Sequence, residues 1–318
     1  MGRRGTALFV AMGIIWGIPY LLIKVADGAV AVPFLVWARI VVGALICVPL
    51  AVAQGALRPE QRAVLRANWH WLAAYALIEI IAPWALLSSA ERTLSSSASG
   101  LLIASVPIIG ALLAWLTPGS GDRMTTVRTA GLLTGFAGVA LLAGPGAGHG
   151  DLLADAEVLV TAVCYAAGPM IANRKLTGVP GIAANAACLL MAGVVYTPPA
   201  ILTWPQAMPS VSVLLALAAL GAVCTAAGLA CYFYLIAEVG AARATVVTYV
   251  NPAVAVALGV LVLAEPFTPA IGASFALILA GSVLATRSAS PQRGAASEAS
   301  AVLTYQGVEG GRRPPGKH

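Results

Sequence analysis

Charged side chains are too scarce in this sequence for a water-soluble protein. Only 9% of the 318 residues are charged and 60% are hydrophobic, whereas soluble domains have about 25% charged residues. Nine charges lie at the two chain ends, which leaves 21 between Gly5 and Thr286. A soluble fold cannot cover its surface with so few, so we expect lipid to surround most of the chain. This composition excludes soluble enzymes, nucleic-acid-binding proteins and secreted disulfide-rich scaffolds.

Residues arranged for metal binding or catalysis are also lacking. The five cysteines lie in apolar runs without Cys-x-x-Cys or Cys/His metal spacing, so we expect no zinc site and no disulfide framework. Walker A, Gly-x-Ser-x-Gly and His-Glu-x-x-His patterns are absent from the sequence. We therefore predict no catalytic residue, no metal ligand and no cofactor.

Long apolar runs occupy most of the chain. A bilayer core about 30 Å thick needs roughly 20 apolar residues per helix, and turn or charge clusters divide the sequence into ten such runs. They are continuously apolar without strict alternation, which indicates helices rather than barrel strands. The predicted spans cover residues 6–25, 33–54, 69–89, 95–116, 126–143, 152–171, 182–203, 211–236, 242–263 and 268–286. The expected fold class is an all-α integral membrane protein with ten transmembrane helices.

The positions of the lysines and arginines predict the orientation of these spans. If the N-terminus is cytoplasmic, the inner loops receive eleven basic residues, whereas the outer loops receive only Lys24 and Arg92. Basic loop residues favour the cytoplasmic side, so we expect a multi-pass protein of the cytoplasmic (inner or plasma) membrane with both termini in the cytoplasm. Residues 287–318 are rich in Ser, Ala, Gly and Pro, which predicts a disordered cytoplasmic tail.

Two parts of the sequence resemble each other. Pro107 and Pro252 lie mid-span 145 residues apart, and similar segments at Gly138 and Gly281 lie 143 residues apart. Two halves of five spans each must cross the membrane in opposite directions, which is the inverted repeat of many secondary transporters. A duplication kept only for packing is the alternative. The predicted organisation is a first repeat over 1–143, an outer linker over 144–151 and a second repeat over 152–286, before the tail.

Several short motifs resemble the EamA type of the drug/metabolite transporter (DMT) superfamily. They are Trp16-Gly17, Arg39, Pro107, the segment 240–252 ending in Asn251-Pro252, the segment 264–268 containing Glu265, Gly272 and Gly281. The similarity extends from about Thr6 to Thr286. It implies two five-helix inverted repeats, cytoplasmic termini, and export or import of small metabolites without ATP. It also implies a structural or gating role for Glu265 at a helix junction, with Asp122 standing where the first repeat usually carries a Glu.

Glu79 and Arg39 are charged residues inside predicted spans. A charge at the membrane centre costs roughly 2.5–3.5 kcal/mol on insertion scales, so Glu79 is expected to face the bundle interior. There it suits a proton carrier or a receptor for an amine, or else it is a protonated structural residue. Arg39 lies at an axial offset of roughly 6 Å and is the expected partner of Glu79. Asp27 and Glu91 are competing partners for Arg39, and snorkelling to the outer interface is the alternative.

The two mid-span prolines predict paired helix interruptions. Proline has no amide hydrogen, so the carbonyls of Ile103 and Thr248 lose their usual partners. In a membrane such groups are tolerated where they face protein or a watery cavity. Pro107 and Pro252 are therefore expected to kink their helices around a central site, with a packing role as the alternative.

Polar and aromatic residues at helical spacing complete the predicted lining of that site, although such stripes also arise from packing alone. They are Trp16, Tyr20, Tyr75, Tyr165, Thr248, Tyr249 and Asn251.

The function predicted from these features is secondary transport. We expect export of a small metabolite, amino acid or drug by alternating access around a cavity between the two repeats. An integral membrane enzyme acting on a lipid-linked substrate is the alternative, but it would need a polar catalytic cluster at an interface. The sequence leaves open whether protons are coupled to transport and whether the chain is a monomer or a homodimer.

Overall fold

The computed structural model describes residues 2–117, 125–143, 151–239 and 245–286, and its secondary structure in these ranges is helical throughout. The α-helices are α1 (Arg3–Gly17), α2 (Pro19–Ala26), α3 (Val32–Ala53), α4 (Pro59–Ala67), α5 (Trp69–Ala76), α6 (Ala82–Ala90), α7 (Ser96–Ile103), α8 (Val106–Leu116), α9 (Thr126–Leu142), α10 (Leu152–Lys175), α11 (Gly181–Leu202), α12 (Val211–Ala219), α13 (Gly228–Val239), α14 (Asn251–Val262) and α15 (Pro269–Thr286). Two π-helices, Leu77–Ile81 and Leu220–Ala227, and a 3-10 helix, Thr245–Tyr249, complete them.

Eight helical stretches in the described residues are long and apolar enough to cross a membrane. They are Arg3–Ala26, Val32–Ala53, Trp69–Ala90, Ser96–Leu116, Leu152–Lys175, Gly181–Leu202, Val211–Tyr232 and Pro269–Thr286. Shorter apolar helices over Thr126–Leu142 and Val247–Val262 coincide with the fifth and ninth predicted spans. The all-helical prediction is thus confirmed, and the count of ten spans stays a prediction.

Helix α4 is a short polar helix that does not belong to the ten predicted spans. Pro59 stands at its start, where a missing amide hydrogen is harmless. Glu60 in the first turn and Arg66 in the last turn complement the helix dipole. None of its residues is buried, so α4 lies on the surface between the second and third predicted spans.

Side-chain caps fix where several helices begin. Ser95, Thr125 and Ser210 each accept a hydrogen bond from a backbone amide in the first turn of the following helix. Asp151 does the same for α10, and the backbone amide of Ala154 holds the pKa of the Asp151 carboxyl below its usual value. These starts agree closely with the starts of the predicted spans.

The main helix contacts join the two halves of the chain. The most extensive contacts are those of α9 with α15, α3 with α11, α6 with α10, α7 with α14, α3 with the second π-helix, and α1 with α13. In each pair one helix comes from residues 2–143 and the other from residues 151–286. The halves therefore interlock, and the side chains between them are enclosed by helices of both.

Helix geometry is interrupted at corresponding places in the two halves. The turn between α7 and α8 precedes Pro107, and the turn at Val250 precedes Pro252. The interruption predicted at each proline is confirmed. At the first one, Ser282 Oγ donates a hydrogen bond of 3.2 Å to the Ala104 carbonyl, so a helix of the other half satisfies a carbonyl at the break. The two π-helices also begin 143 residues apart.

Candidate functional site

Arg39 lies on α3 inside the helix bundle and is only 8% exposed. Its Nε donates a hydrogen bond of 3.2 Å to Thr225 Oγ in the second π-helix. Its guanidinium carbon lies 3.7 Å from the centre of the Trp84 ring on α6, a cation–π contact. Thr225 Oγ in turn donates to the Leu220 carbonyl at 2.9 Å, which holds the hydroxyl in place. Both contacts of the guanidinium are with electrically neutral groups.

Glu79 lies in the first π-helix and faces α10. Its Oε2 is buried and has no hydrogen-bond partner in the described part of the chain. Gly168 leaves room for this oxygen, because a Cβ atom at that position would overlap Oε2. Tyr196 on α11 donates a hydrogen bond of 2.6 Å to the Ile81 carbonyl at the end of the π-helix. The wide turn of the π-helix and the space left by Gly168 together place the Glu79 carboxyl group between helices of both halves.

The expected pair between Arg39 and Glu79 is wrong. The salt bridges of the described residues do not include one between them. The axial offset used for the prediction says nothing about the direction in which each side chain leaves its helix. Arg39 points toward Trp84, whereas Glu79 packs against Gly168. The wider turn of a π-helix changes the direction of the residues it contains, and this change is not visible in the sequence.

The competing partners of Arg39 do not bind it either. Asp27 lies 3.7 Å from Lys24 Nζ and 3.6 Å from Arg92 Nε. Glu91 is 0% exposed, and neither of its carboxylate oxygens has a hydrogen-bond partner among the described residues. Snorkelling is also wrong, because Arg39 is buried.

Several aromatic side chains lie near these two charged residues or near their neighbours. The Trp16 ring on α1 contacts the Tyr232 ring of α13, with ring centres 4.9 Å apart and an angle of 39° between the ring planes. Tyr75 lies near both Glu79 and Tyr232, and Tyr165 on α10 lies beside Trp84.

Tyr20 completes this group. It is buried on α2 and lies near Tyr165 and Arg39. The structure thus brings together five of the predicted lining residues, which are Tyr20, Arg39, Tyr75, Glu79 and Tyr165, and Trp16 adjoins them through Tyr232. We call this group, with Trp84 and Thr225, the central cluster.

Other predicted lining residues take part in helix packing. The Tyr249 hydroxyl lies 3.0 Å from Thr286 Oγ at the end of α15. Asn251 and the buried Pro252 begin α14, where a Cβ atom at Gly17 would come within 3.1 Å of the Asn251 carbonyl oxygen. Thr248 lies in the preceding 3-10 helix and Pro107 in the first turn of α8. These residues shape the two helix breaks.

Glu265 caps the start of α7 from the other half of the chain. Its carboxylate accepts hydrogen bonds from the backbone amides of Ser96, at 2.7 Å, and Ser97, at 3.0 Å. The Ser97 hydroxyl adds a third bond at 2.5 Å. A carboxylate at a helix N-terminus satisfies free amides and complements the helix dipole, which fits a role at a helix junction. Asp122, predicted for the same role, lies outside the described residues.

We expect Glu265→Ala to lower the free energy of unfolding by roughly 1–3 kcal/mol, because the buried amides of Ser96 and Ser97 lose a charged acceptor. Thermal unfolding of the purified protein in detergent would measure this. Glu238→Ala is the matched control, since Glu238 is exposed on α13. Equal stability of the two variants would contradict the capping role.

Trp84, Thr225 and Gly168 are not among the residues predicted to form the site. Trp84 could be recognised from the sequence, because tryptophans of membrane proteins prefer the interfaces and this one lies inside a predicted span beside Pro83. The positions of Thr225 and Gly168 depend on the π-helices and on helix contacts between the halves. No local pattern in the sequence indicates that these two residues belong to the site.

Long apolar helices that enclose a buried arginine and a buried glutamate are typical of a membrane protein that moves a solute or an ion. This is the general arrangement of membrane transport proteins. The model of the EamA-like transporter family matches residues 3–144 and 150–287. The chain belongs to this family, which confirms the resemblance drawn from its motifs, and it is a membrane transporter.

Two curated relatives and one solved structure agree with this assignment. The chain is 28% identical over 256 residues to the uncharacterized inner membrane transporter YedA of Escherichia coli strain K12, covering 80% of each protein. It is 23% identical over 303 residues to the uncharacterized transporter YvbV of Bacillus subtilis strain 168, covering 92% of this chain and 95% of the relative. A crystal structure at 23% identity shares the fold, with a TM-score of 0.63 over 89% of this chain and 96% of the other.

Proposed function

We propose that this protein is a secondary transporter of the inner membrane that exports a small metabolite, amino acid or drug by alternating access. The observation that carries the proposal is the central cluster, in which Arg39 and Glu79 lie beside aromatic rings between the two halves and have no ion-pair partner among the described residues. Such groups are costly inside a membrane unless they serve a solute or ion pathway. The description of YedA as an inner membrane transporter supports the location.

The architecture proposed for this function has ten spans in two inverted repeats over 1–143 and 152–286. The corresponding π-helices and the corresponding breaks before Pro107 and Pro252 support it. Helix α9 has 17 residues and is therefore roughly 26 Å long, slightly less than the bilayer core. Rocking of one repeat against the other would expose the central cluster to each side in turn.

The proposed orientation has a direct test. A reporter that is active only outside the cytoplasm, inserted between Gly144 and Gly150, should be active, because this segment follows the fifth span. The same reporter fused after Thr286 should be inactive, since ten spans return the chain to the cytoplasm. Activity at the second position or inactivity at the first would contradict the topology.

Flux measurements test the transport function itself. Purified protein in sealed vesicles should exchange a labelled solute across the membrane without ATP, and a panel of amino acids and cationic drugs is the first choice of solute. Vesicles without protein are the control. Conversion of an added lipid-linked substrate without any solute flux would instead support the membrane enzyme.

A further inference from the structure

The positive charge of Arg39 has no ion-pair partner among the described residues. Arginine stays charged in proteins, and this one is enclosed by α3, α6 and the second π-helix. Its contacts are the Thr225 hydroxyl and the face of Trp84. Ion pairs recorded in the described ranges join Lys24 and Arg92 to Asp27 and do not involve Arg39. A buried cation without a bound anion is unfavourable, so this arrangement needs a function.

The acidic side chains nearest to Arg39 in the described part of the chain do not bind its guanidinium group. Glu91 lies near enough to influence Arg39 through space, but both of its oxygens are buried without a hydrogen-bond partner within the described ranges. Glu79 packs against Gly168 instead. Among the described residues, the guanidinium group therefore has no carboxylate partner.

The contacts of Arg39 also orient its guanidinium group. The hydrogen bond from Nε holds one edge of the guanidinium group against Thr225. The close contact of the guanidinium carbon with the Trp84 ring restricts how the group can turn. The two terminal nitrogens are left for a planar acceptor, and a carboxylate can accept two parallel hydrogen bonds from such a fork. Tyr20 and Tyr165 lie close by and offer apolar ring surface to the rest of the molecule.

We propose that Arg39 binds the carboxylate group of the transported solute, which makes the solute an organic carboxylate with an apolar or aromatic body. Trp84 and Thr225 act as positioning residues that hold the guanidinium in the plane of the incoming carboxylate. This inference rests on the proposed transport function and names the chemical class of its solute.

Matched acids and amides test this inference, because they differ in the carboxylate alone. The thermal unfolding of the purified full-length protein would be measured in detergent at pH 7 and constant ionic strength. The ligands are benzoate with benzamide, indole-3-acetate with indole-3-acetamide, and leucine with leucinamide. We expect at least one acid to bind ten times more tightly than its amide. Arg39→Gln should weaken binding of that acid by at least about 30-fold, and Arg39→Lys should restore only part of it.

Arg128→Lys is the matched control, because Arg128 is also buried but lies on α9, where its Nε donates to the Ala285 carbonyl. This variant should keep the preference for the acid. Absence of any acid preference in the wild-type protein would overturn the inference, as would a preference that survives in Arg39→Gln. Flux of neutral or cationic solutes without acid binding would overturn the carboxylate site and leave the transport function. Acid binding without flux of any solute would overturn the transport function and leave the carboxylate site.

Discussion

Glu79→Gln is expected to abolish the pH dependence of transport while the protein still folds. Glutamine has the shape of protonated glutamic acid but cannot release a proton, so it cannot exchange one during the transport cycle. Little stability should be lost, because Glu79 Oε2 has no hydrogen-bond partner to lose within the described residues. If Glu79 carries the coupled proton, solute movement driven by a pH gradient should be lost. Exchange of solute at equal pH on both sides should continue.

Vesicle flux at a series of external pH values would measure this effect. Gly168→Ala is the companion variant, since its methyl group would occupy the space of Glu79 Oε2 and displace the flexible end of that side chain. It should lower the rate but keep the pH dependence, because the titrating group remains. A Glu79→Gln protein whose transport responds to pH as the wild type does would exclude Glu79 as the proton carrier.

Local physical rules predicted the long apolar helices and their interruptions before the two prolines, but not the π-helices. Apolar run length predicted the spans, and the missing amide hydrogens predicted the breaks at Pro107 and Pro252, because both depend only on neighbouring residues. The short helix α4 obeys local rules as well, with Pro59 at its start and oppositely charged residues at its two ends. Its signals are present in the sequence even though it lies outside the predicted spans.

The contacts of the site depend on distant residues and could not be predicted in the same way. Arg39 and Thr225 are 186 residues apart, and Glu265 binds backbone amides 168 and 169 residues away. The direction of Glu79 depends on a π-helix, for which the sequence has no clear signal. The sequence therefore indicated which charged residues matter, whereas their partners required the packing of the two halves.

Gly281→Leu is expected to prevent correct packing of the last helix. Helices α9 and α15 cross so closely that a Cβ atom at Gly281 would overlap the Gly135 backbone nitrogen and lie 2.5 Å from the Gly135 Cα and 2.7 Å from the Gly131 carbonyl oxygen. These are backbone atoms, which cannot turn aside as the end of a side chain can. Because membrane helices associate largely through such close contacts of small residues, we expect a loss of about 3 kcal/mol or more.

Gly110→Ala is the matched control for this substitution, since it adds a side chain inside α8 without a close neighbour. The nearest heavy atom to its Cβ would be the Ala166 Cβ at 3.9 Å, and alanine favours a helix by roughly 0.5–1 kcal/mol over glycine.

Size-exclusion chromatography after heating in detergent would measure the loss of packing. We expect Gly281→Leu to aggregate most, Gly281→Ala to aggregate less, and Gly110→Ala to show no aggregation. Because α15 also carries the Ser282 hydroxyl that satisfies the Ala104 carbonyl, the surviving fraction of the Gly281 variants should lose transport as well. Wild-type stability of Gly281→Leu would show that α9 and α15 are not in close contact.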